Sequence, residues 1–387
     1  MTSRLRAQQK ATKHATRWQN RRLVLQHIMA EGTTSRADIS RSTGLTRATV
    51  SQLVGELLDA GLVDELGSGP SAGGKPPTLL GLNAAAHSVL AVDLSDGRRI
   101  GSVLDLEGSA AYRTAEAPSV ARGPDGIDEL IETIDELLAA AAQPLGIGIG
   151  TPGVVDDDGT VVEASNLGWR DVPLGRILAE RFDLPVHVLN NSRAAAIAEY
   201  SFGGHGAENM LVVKIGNGIG AGVVLDGHIM GGEDAAAGEI GHVVVDPSGP
   251  RCFCGRAGCL ETLVSVPRLA ALLRPLVGSD DDSEDVILEF AAREDTPDVA
   301  RVLDEAARNL GTVLSTTVAI LDIHRVVISG LISRLGDRFL DRVRAEVESR
   351  VLPTLAAKVD LGYATTGDRA VRMGAAAFVL HHELGVL

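Results

Sequence analysis

Apolar positions in the first eighty residues recur at helical spacing in three short stretches, each stopped by a glycine or polar break. RRLVLQHIMA, Arg21 to Ala30, repeats Leu23, Val24, His27 and Ile28 on one face, and Glu31-Gly32 closes it. Ser35 is placed to cap RADISRST, a short helix that turns Ile39 inward and stops at Gly44. Thr46 is placed to cap RATVSQLVGELLDA, whose buried stripe is Val50, Leu53, Val54, Leu57 and Leu58, and Gly61 ends it. LVDEL then reads as a strand, GSGPSAGGKPP as a tip and TLLGLN as the returning strand. Three helices with a tight turn before the third, followed by a hairpin, predict a winged helix-turn-helix over residues 1–82.

From about Ala84 the pattern changes. SVLAVDL, RRIGSVLDL, LGIGIG, VHVL, MLVVKIG, GAGVVLDG and HRVVISG are short, rich in Val and Ile, and punctuated by glycine. Between them lie helical patterns such as IDELIETIDELLAAAA and VLDEAARNLGTVLSTTVAILD. This alternation predicts an α/β architecture with largely buried sheets. Some three hundred residues are too many for one core, so two lobes with a cleft between them are expected.

Charge separates the same two parts. Residues 1–80 hold 11 Lys and Arg against 6 Asp and Glu, whereas the remainder holds 25 against 45. Seven basic residues and no acidic one precede Glu31, so a polyanion such as DNA is drawn to the first segment and repelled by the rest. On the third helix, Arg47, Thr49, Ser51 and Gln52 form an exposed face able to reach base edges or phosphates, with Arg47 the candidate for a guanine contact. Ser35, Arg36 and Thr46 flank that face, and Lys75 in the tip can lie along the minor groove or backbone. The chain is 45% hydrophobic and 22% charged, values of a globular protein with a real core. Its apolar runs break well before the ~18 residues of a membrane span. The basic, polar start does not read as a secretory signal, so a cytoplasmic location is expected.

The sharpest chemical signal is GEIGHVVVDPSGPRCFCGRAGCLE. All three cysteines, Cys252, Cys254 and Cys259, fall here, with His242 ten residues upstream of the first. Three thiolates and an imidazole make a closed tetrahedral zinc site with no place left for a catalytic water, so the zinc is read as structural. The second ring nitrogen of His242 remains for a ligand. Glu239 and Glu261 flank the same loop, and carboxylates so placed suit the hydroxyls of a sugar. Asn166 in ASNLGW and Asn190-Asn191 in VLNNSRAAAIAE stand at strand ends that face a cleft; the Asn pair also suits plain helix capping.

SRADISRSTGLTRATVSQLVGELLDAGLV resembles the DNA-binding segment of the ROK family repressors, and GGKPP resembles their GGRP wing, with lysine replacing a forked donor by a point charge. Across residues 84–387, PG-V-D, N-L-G-W, GIGAG, GEIGH and CxCGxxGC resemble the sugar-kinase-like domain of the same family. The resemblance implies a two-lobed, actin-like, duplicated ribonuclease-H-like fold over 83–387. Its lobes would be 83–191 with the terminal helix 372–387, and 192–371. It implies zinc on His242, Cys252, Cys254 and Cys259, and sugar hydroxyls on Asn166, Asn190, Asn191, Glu239, His242 and Glu261.

The chain departs from the kinases of that family where chemistry would occur. They carry an aspartate as general base where this chain has Asn191, and an amide has no usable basicity, a loss of ~10²–10⁴-fold in rate. Their first phosphate loop, D-x-G-G-T-K, is here Asp93-Leu94-Ser95-Asp96-Gly97-Arg98, with a carboxylate where phosphate would meet backbone N–H groups. Asn217 replaces a hydroxyl residue in the second loop. The expected protein is therefore no enzyme but a sugar-responsive transcriptional regulator, a repressor. It would read a palindromic double-stranded operator as a homodimer or homotetramer. The competing expectation is an active ATP-dependent sugar kinase with an appended DNA-binding head.

Overall fold

A computed structural model describes residues 13–70, 76–114, 117–118, 122–278, 283–293 and 296–386. The head is set by its caps. Helix α1 (Lys13–Glu31) leads through β1 (Thr33–Ser35) into α2 (Arg36–Thr43) and α3 (Arg47–Asp59). The Ser35 hydroxyl accepts from Asp38 N–H at the start of α2, and Gly44 ends that helix at φ +71°. Thr46 caps α3 by accepting from Thr49 N–H. Strands β2 (Val63–Ser68) and β3 (Thr78–Leu82) form the hairpin, and β1 pairs with the other side of β3.

Two features of the head differ from the periodicity. Helix α1 begins eight residues before Arg21, and Leu23 is 39% exposed while Leu25 takes its place inside. The polar stretch before Arg21 is helical because it leans on the far end of the chain. Arg22 and Trp18 lie against Gly385, and Gln26 donates to the Gly385 carbonyl at 3.3 Å. In α3, Leu58 is only half-buried at the rim of the stripe.

The first lobe is built on β4 (Ser88–Asp93), β5 (Arg98–Leu104), β6 (Ala110–Arg113) and β7 (Ala117–Pro118), then α4 (Pro124–Ala140) and β8 (Pro144–Thr151). Strands β9 (Val154–Val155), β10 (Val161–Ala164) and β11 (Trp169–Val172) make a small separate sheet, followed by α5 (Leu174–Phe182) and β12 (Val186–Asn190). The main sheet runs β12-β8-β4-β5-β6, with β8 parallel to both β4 and β12. Its inner strands are buried on both faces, which is why they read as unbroken apolar runs.

Helix α6 (Asn191–Phe202) crosses to the second lobe, whose sheet uses β13 (Met210–Ile215), β14 (Ile219–Leu225) and β15 (His228–Ile229). After the cysteine loop come α7 (Leu260–Val264), α8 (Val266–Leu273), α9 (Glu284–Arg293) and the long α10 (Pro297–Leu321). Strand β16 (Arg325–Ser329), α11 (Gly336–Glu348), α12 (Pro353–Ala356) and β17 (Asp360–Tyr363) complete it, in the order β15-β14-β13-β16-β17.

The final helix, α13 (Ala370–Glu383), leaves the second lobe and packs on β8 and β4 of the first, alongside α6. The approach is close enough that a Cβ on Gly374 would stand 1.8 Å from the Ala194 carbonyl oxygen, so this position admits only glycine. On its other side α13 joins the head. Val24, Ile28, Val50 and Leu57 share one apolar cluster with Leu104, Leu106, Val379, Leu380 and Val386. Head and first lobe therefore bury a common core.

Candidate functional site

Helix α3 turns Val50, Leu53, Val54 and Leu57 into the core, which leaves Arg47, Ala48, Ser51 and Gln52 exposed on the opposite face. The polar end of this face, with a guanidinium at its first turn, has the chemistry to meet base edges and phosphates. Gln52 is turned toward Glu56, which also pairs with Arg17 of α1. Thr49 is half-buried, its hydroxyl 2.9 Å from that of Thr46 in the cap. Arg36 pairs with Glu65 of β2 at 2.9 Å. Ser35 is 3% exposed, donates to Asp38 Oδ2 at 2.6 Å and serves as the cap of α2. Lys75 lies outside the described residues.

The residues expected to hold a sugar lie at the end of β12 and the start of α6, in the turn between β10 and β11, and on the loop leading to and past the cysteines. Asn190 is the cap of α6. Its Oδ1 accepts from the N–H groups of Ser192 and Arg193, and its Nδ2 donates to the Gly153 carbonyl at 2.8 Å. The first turn of α6 has N–H groups to satisfy, and the second Nδ2–H is left for a ligand. Asn191 is half-buried and donates from Nδ2 to Ser95 Oγ at 3.1 Å. Asn166 is exposed in the turn between β10 and β11 with no hydrogen bond to another described residue. Its neighbour Trp169 is packing, with Nε1 donating to the Gly123 carbonyl at 2.8 Å.

Glu239, His242 and Glu261 are brought together. A single turn of 3-10 helix at Ile240–His242 sets His242 Nε2 3.9 Å from Glu239 Oε2. Burial raises the Glu239 carboxyl above its ordinary range, with His242 lowering it and the Glu261 charge raising it. Glu261 Oε2 accepts from the Ile219 N–H at 3.1 Å, which fixes this carboxylate at the start of β14.

The opposite side of the same imidazole faces sulfur. His242 Nδ1 is 3.4 Å from Cys252 Sγ, and Cys254 Sγ is 3.6 Å from Cys259 Sγ. All four ligand atoms lie within 4.8 Å of one another, and none of the cysteines is in a disulfide. A tetrahedral ion with sulfur bonds of ~2.3 Å has ligand edges of roughly 3.8 Å, so the donor set fits a metal. The loop is pinned for it by bridges pairing Val244 with Cys259 and Arg251 with Ala257. One ring thus points a nitrogen at the cluster and the other at Glu239.

Sequence reasoning missed Lys214. It is 7% exposed on β13 and donates to Asp96 Oδ2 across the cleft at 2.8 Å. Asp96 reads as a source of repulsion along the chain; in three dimensions its charge is answered by a cation 118 residues away. No local pattern could have announced that pair.

A two-lobed α/β body with a cysteine-rich loop at the cleft, behind a winged helix-turn-helix, defines a class, and this chain belongs to the ROK family, whose model matches residues 90–382. A MarR family model matches residues 19–71, the head. The chain is 35% identical over 383 residues to a putative xylose repressor of Caldicellulosiruptor sp. (strain Rt8B.4), covering 94% of this chain and 96% of that one. Among solved structures, a ROK family transcriptional regulator described as a homologue of E. coli Mlc superposes with a TM-score of 0.83 at 25% identity, over 96% of this chain and 97% of that one. A ROK family glucokinase from Streptomyces griseus in complex with glucose and AMPPNP superposes with a TM-score of 0.66 at 27% identity, covering 98% of that chain but 75% of this one.

Proposed function

We propose that this chain is a sugar-responsive transcriptional repressor. Its head binds operator DNA, and its cleft binds a sugar that shifts the balance between DNA-binding and released states. The observation that carries this reading is the shared core of head and first lobe, in which Val50 and Leu57 of α3 belong to one apolar cluster with Val379 and Leu380 of α13, the helix that lies on β8 and β4. A coupling of only ~1–3 kcal/mol changes operator affinity 5–150-fold. Full-length similarity to a putative xylose repressor makes a pentose the first effector to try.

In this reading residues 1–82 form the DNA-binding unit, with Arg36, Thr46, Arg47, Thr49, Ser51, Gln52 and Lys75 along the DNA. The cleft of 83–387 holds the sugar on Asn191, Glu239, His242 and Glu261, with Asn166 able to close over it. His242, Cys252, Cys254 and Cys259 hold a structural zinc ion, whose part is to fix the ring of His242. A homodimer, or a tetramer built from it, would read two halves of a palindrome about one helical turn apart or a multiple of that. Among the described residues no helix is long and apolar enough to cross a membrane.

Asn191 and Asp96 speak against the kinase alternative, one removing the base and the other filling the phosphate loop. A gel shift on the DNA upstream of this reading frame, repeated with individual sugars, tests the proposal. A shift that one sugar relieves supports it. A protein that turns over ATP with a hexose or pentose overturns it in favour of a kinase, and a shift that no sugar alters overturns the effector part.

A further inference from the structure

Asp96, in the turn from Leu94 to Gly97, makes contacts that neither DNA nor sugar recognition uses. Asp96 extends from the first lobe and is held by the second at both carboxylate oxygens. Lys214 Nζ donates to Oδ2 at 2.8 Å, and the Asn217 backbone N–H donates to Oδ1 at 2.8 Å. The two side chains are each 9% exposed, so the pair is shielded from water and salt. The seat is shaped for the carboxylate, since a Cβ on Gly216 would stand 2.1 Å from Asp96 Oδ1. Asp96 itself sits at φ +57°, a left-handed conformation that a single Asp can adopt in a turn.

An ammonium beside an outward backbone N–H is a donor set for oxyanions, and here the chain supplies the oxyanion. Beside the seat lies a cavity of mixed charge, whose lining includes Arg98, Lys214 and Arg334 together with the carboxylates of Asp93 and Asp368. The same turn is tied to the other side of the cleft, because Ser95 Oγ accepts from Asn191. A two-lobed protein ordinarily closes around a ligand that touches both walls. In this one a side chain already touches both.

We propose that Asp96 is a built-in surrogate for a ligand's oxyanion. Its carboxylate fills an anion seat on the second lobe and latches the two lobes without nucleotide or phosphate. The seat, made by Lys214 and the Asn217 N–H, accepts inorganic phosphate or a phosphate monoester only when Asp96 is absent from it. The proposal concerns the cleft assigned above to a sugar but does not rest on that assignment, and its test contains no sugar.

The experiment uses the full chain as wild type, Asp96→Gly and Lys214→Met, with small-angle scattering to read lobe closure and calorimetry to read binding of inorganic phosphate. Glycine adopts φ +57° freely, so Asp96→Gly removes the latch without straining the turn. It is expected to be more expanded than wild type, to contract when phosphate is added, and to bind phosphate at least about tenfold more tightly than wild type. Lys214→Met is expected to expand without rescue by phosphate, which locates the anion at Lys214. If Asp96→Gly fails to fold, Lys214→Met alone decides, because a compact Lys214→Met overturns the latch. An Asp96→Gly variant as compact as wild type overturns the proposal, and so does wild type binding phosphate as tightly as that variant.

Discussion

Arg22 of the first helix and His381 of the last lie side by side, Nη2 to Nδ1 at 3.4 Å, across 359 residues of sequence. Around them the helices share a core, and the head is further fastened by His87, whose Nε2 stands 3.4 Å from the Ala60 carbonyl and whose Nδ1 stands 3.3 Å from that of Gln143. Helix α3 and the first lobe are therefore parts of one packed body. Helix α13 is the link: it touches α1 at one end, and along its length it lies on α6, whose first residue is Asn191.

This continuity predicts that the head and first lobe unfold together. The chain has two tryptophans, Trp18 on α1 and Trp169 in the first lobe. Single-tryptophan variants followed by fluorescence in urea should give coincident midpoints. Leu380→Ala, which opens a cavity in the shared core, should lower both by the same amount, at a cost of about 2–5 kcal/mol. A head that melts first would refute the common core.

Recognition by α3 should depend on Arg47 and leave stability alone. Arg47 is exposed, so Arg47→Ala should weaken operator binding by about 1–3 kcal/mol in a gel shift while leaving the thermal midpoint unchanged. Thr46→Ala should behave differently. It removes the cap of α3 and should cost about 1 kcal/mol of stability as well.

Metal removal should silence the effector response before it affects DNA binding. The cysteine cluster is far along the chain from α3 and orients His242 beside Glu239. Cys254→Ser, or treatment with a strong chelator, should lower metal content measured by atomic absorption. It should also abolish the sugar effect on the gel shift while leaving the shift itself. Loss of DNA binding in parallel with metal would contradict this arrangement.

Glu199 should contribute an acid-sensitive share of stability. It is fully buried at the end of α6 and accepts from Thr366 N–H at 2.8 Å, from the Thr366 hydroxyl, from His205 and from Thr365 N–H. Arg325 can only donate to His205 Nδ1, at 2.8 Å, so Nε2 carries the proton toward Glu199. Burial pushes the Glu199 carboxyl up, but these hydrogen bonds outweigh it and leave the group below its ordinary 4.5. A folded pKa lower than the unfolded one gives stability that is present above about 4.5 and lost as pH falls through the folded value. Glu199→Gln should therefore flatten the acid limb of a stability-against-pH curve measured by urea titration. An unchanged limb would exclude the network from acid unfolding.

Much of the fold was legible because burial leaves a local trace. Strands covered on both faces read as unbroken runs at SVLAVDL and LGIGIG, and the stripe of α3 repeats at helical spacing. The gathering of three cysteines with His242 into a group able to hold a metal was legible too, since Cys252, Cys254 and Cys259 are close in sequence. Less visible were features whose partner is distant. The start of α1 depends on Gly385, and Leu23 was read as inward because spacing alone does not separate it from Leu25. The cap made by Asn190 is visible only once the Gly153 carbonyl and the α6 N–H groups are in place around its amide.

Residue type and short spacing were enough for the winged head, the α/β body, the cysteine-rich loop with its two glutamates and the amide at Asn191. The packing of distant segments was needed to show that the head shares a core with α13, that Asn190 is braced by Gly153 and that Asp96 is paired with Lys214. Those are contacts between residues a hundred or more apart in the chain or across an element boundary, and their energies depend on distance and burial, which no linear pattern carries.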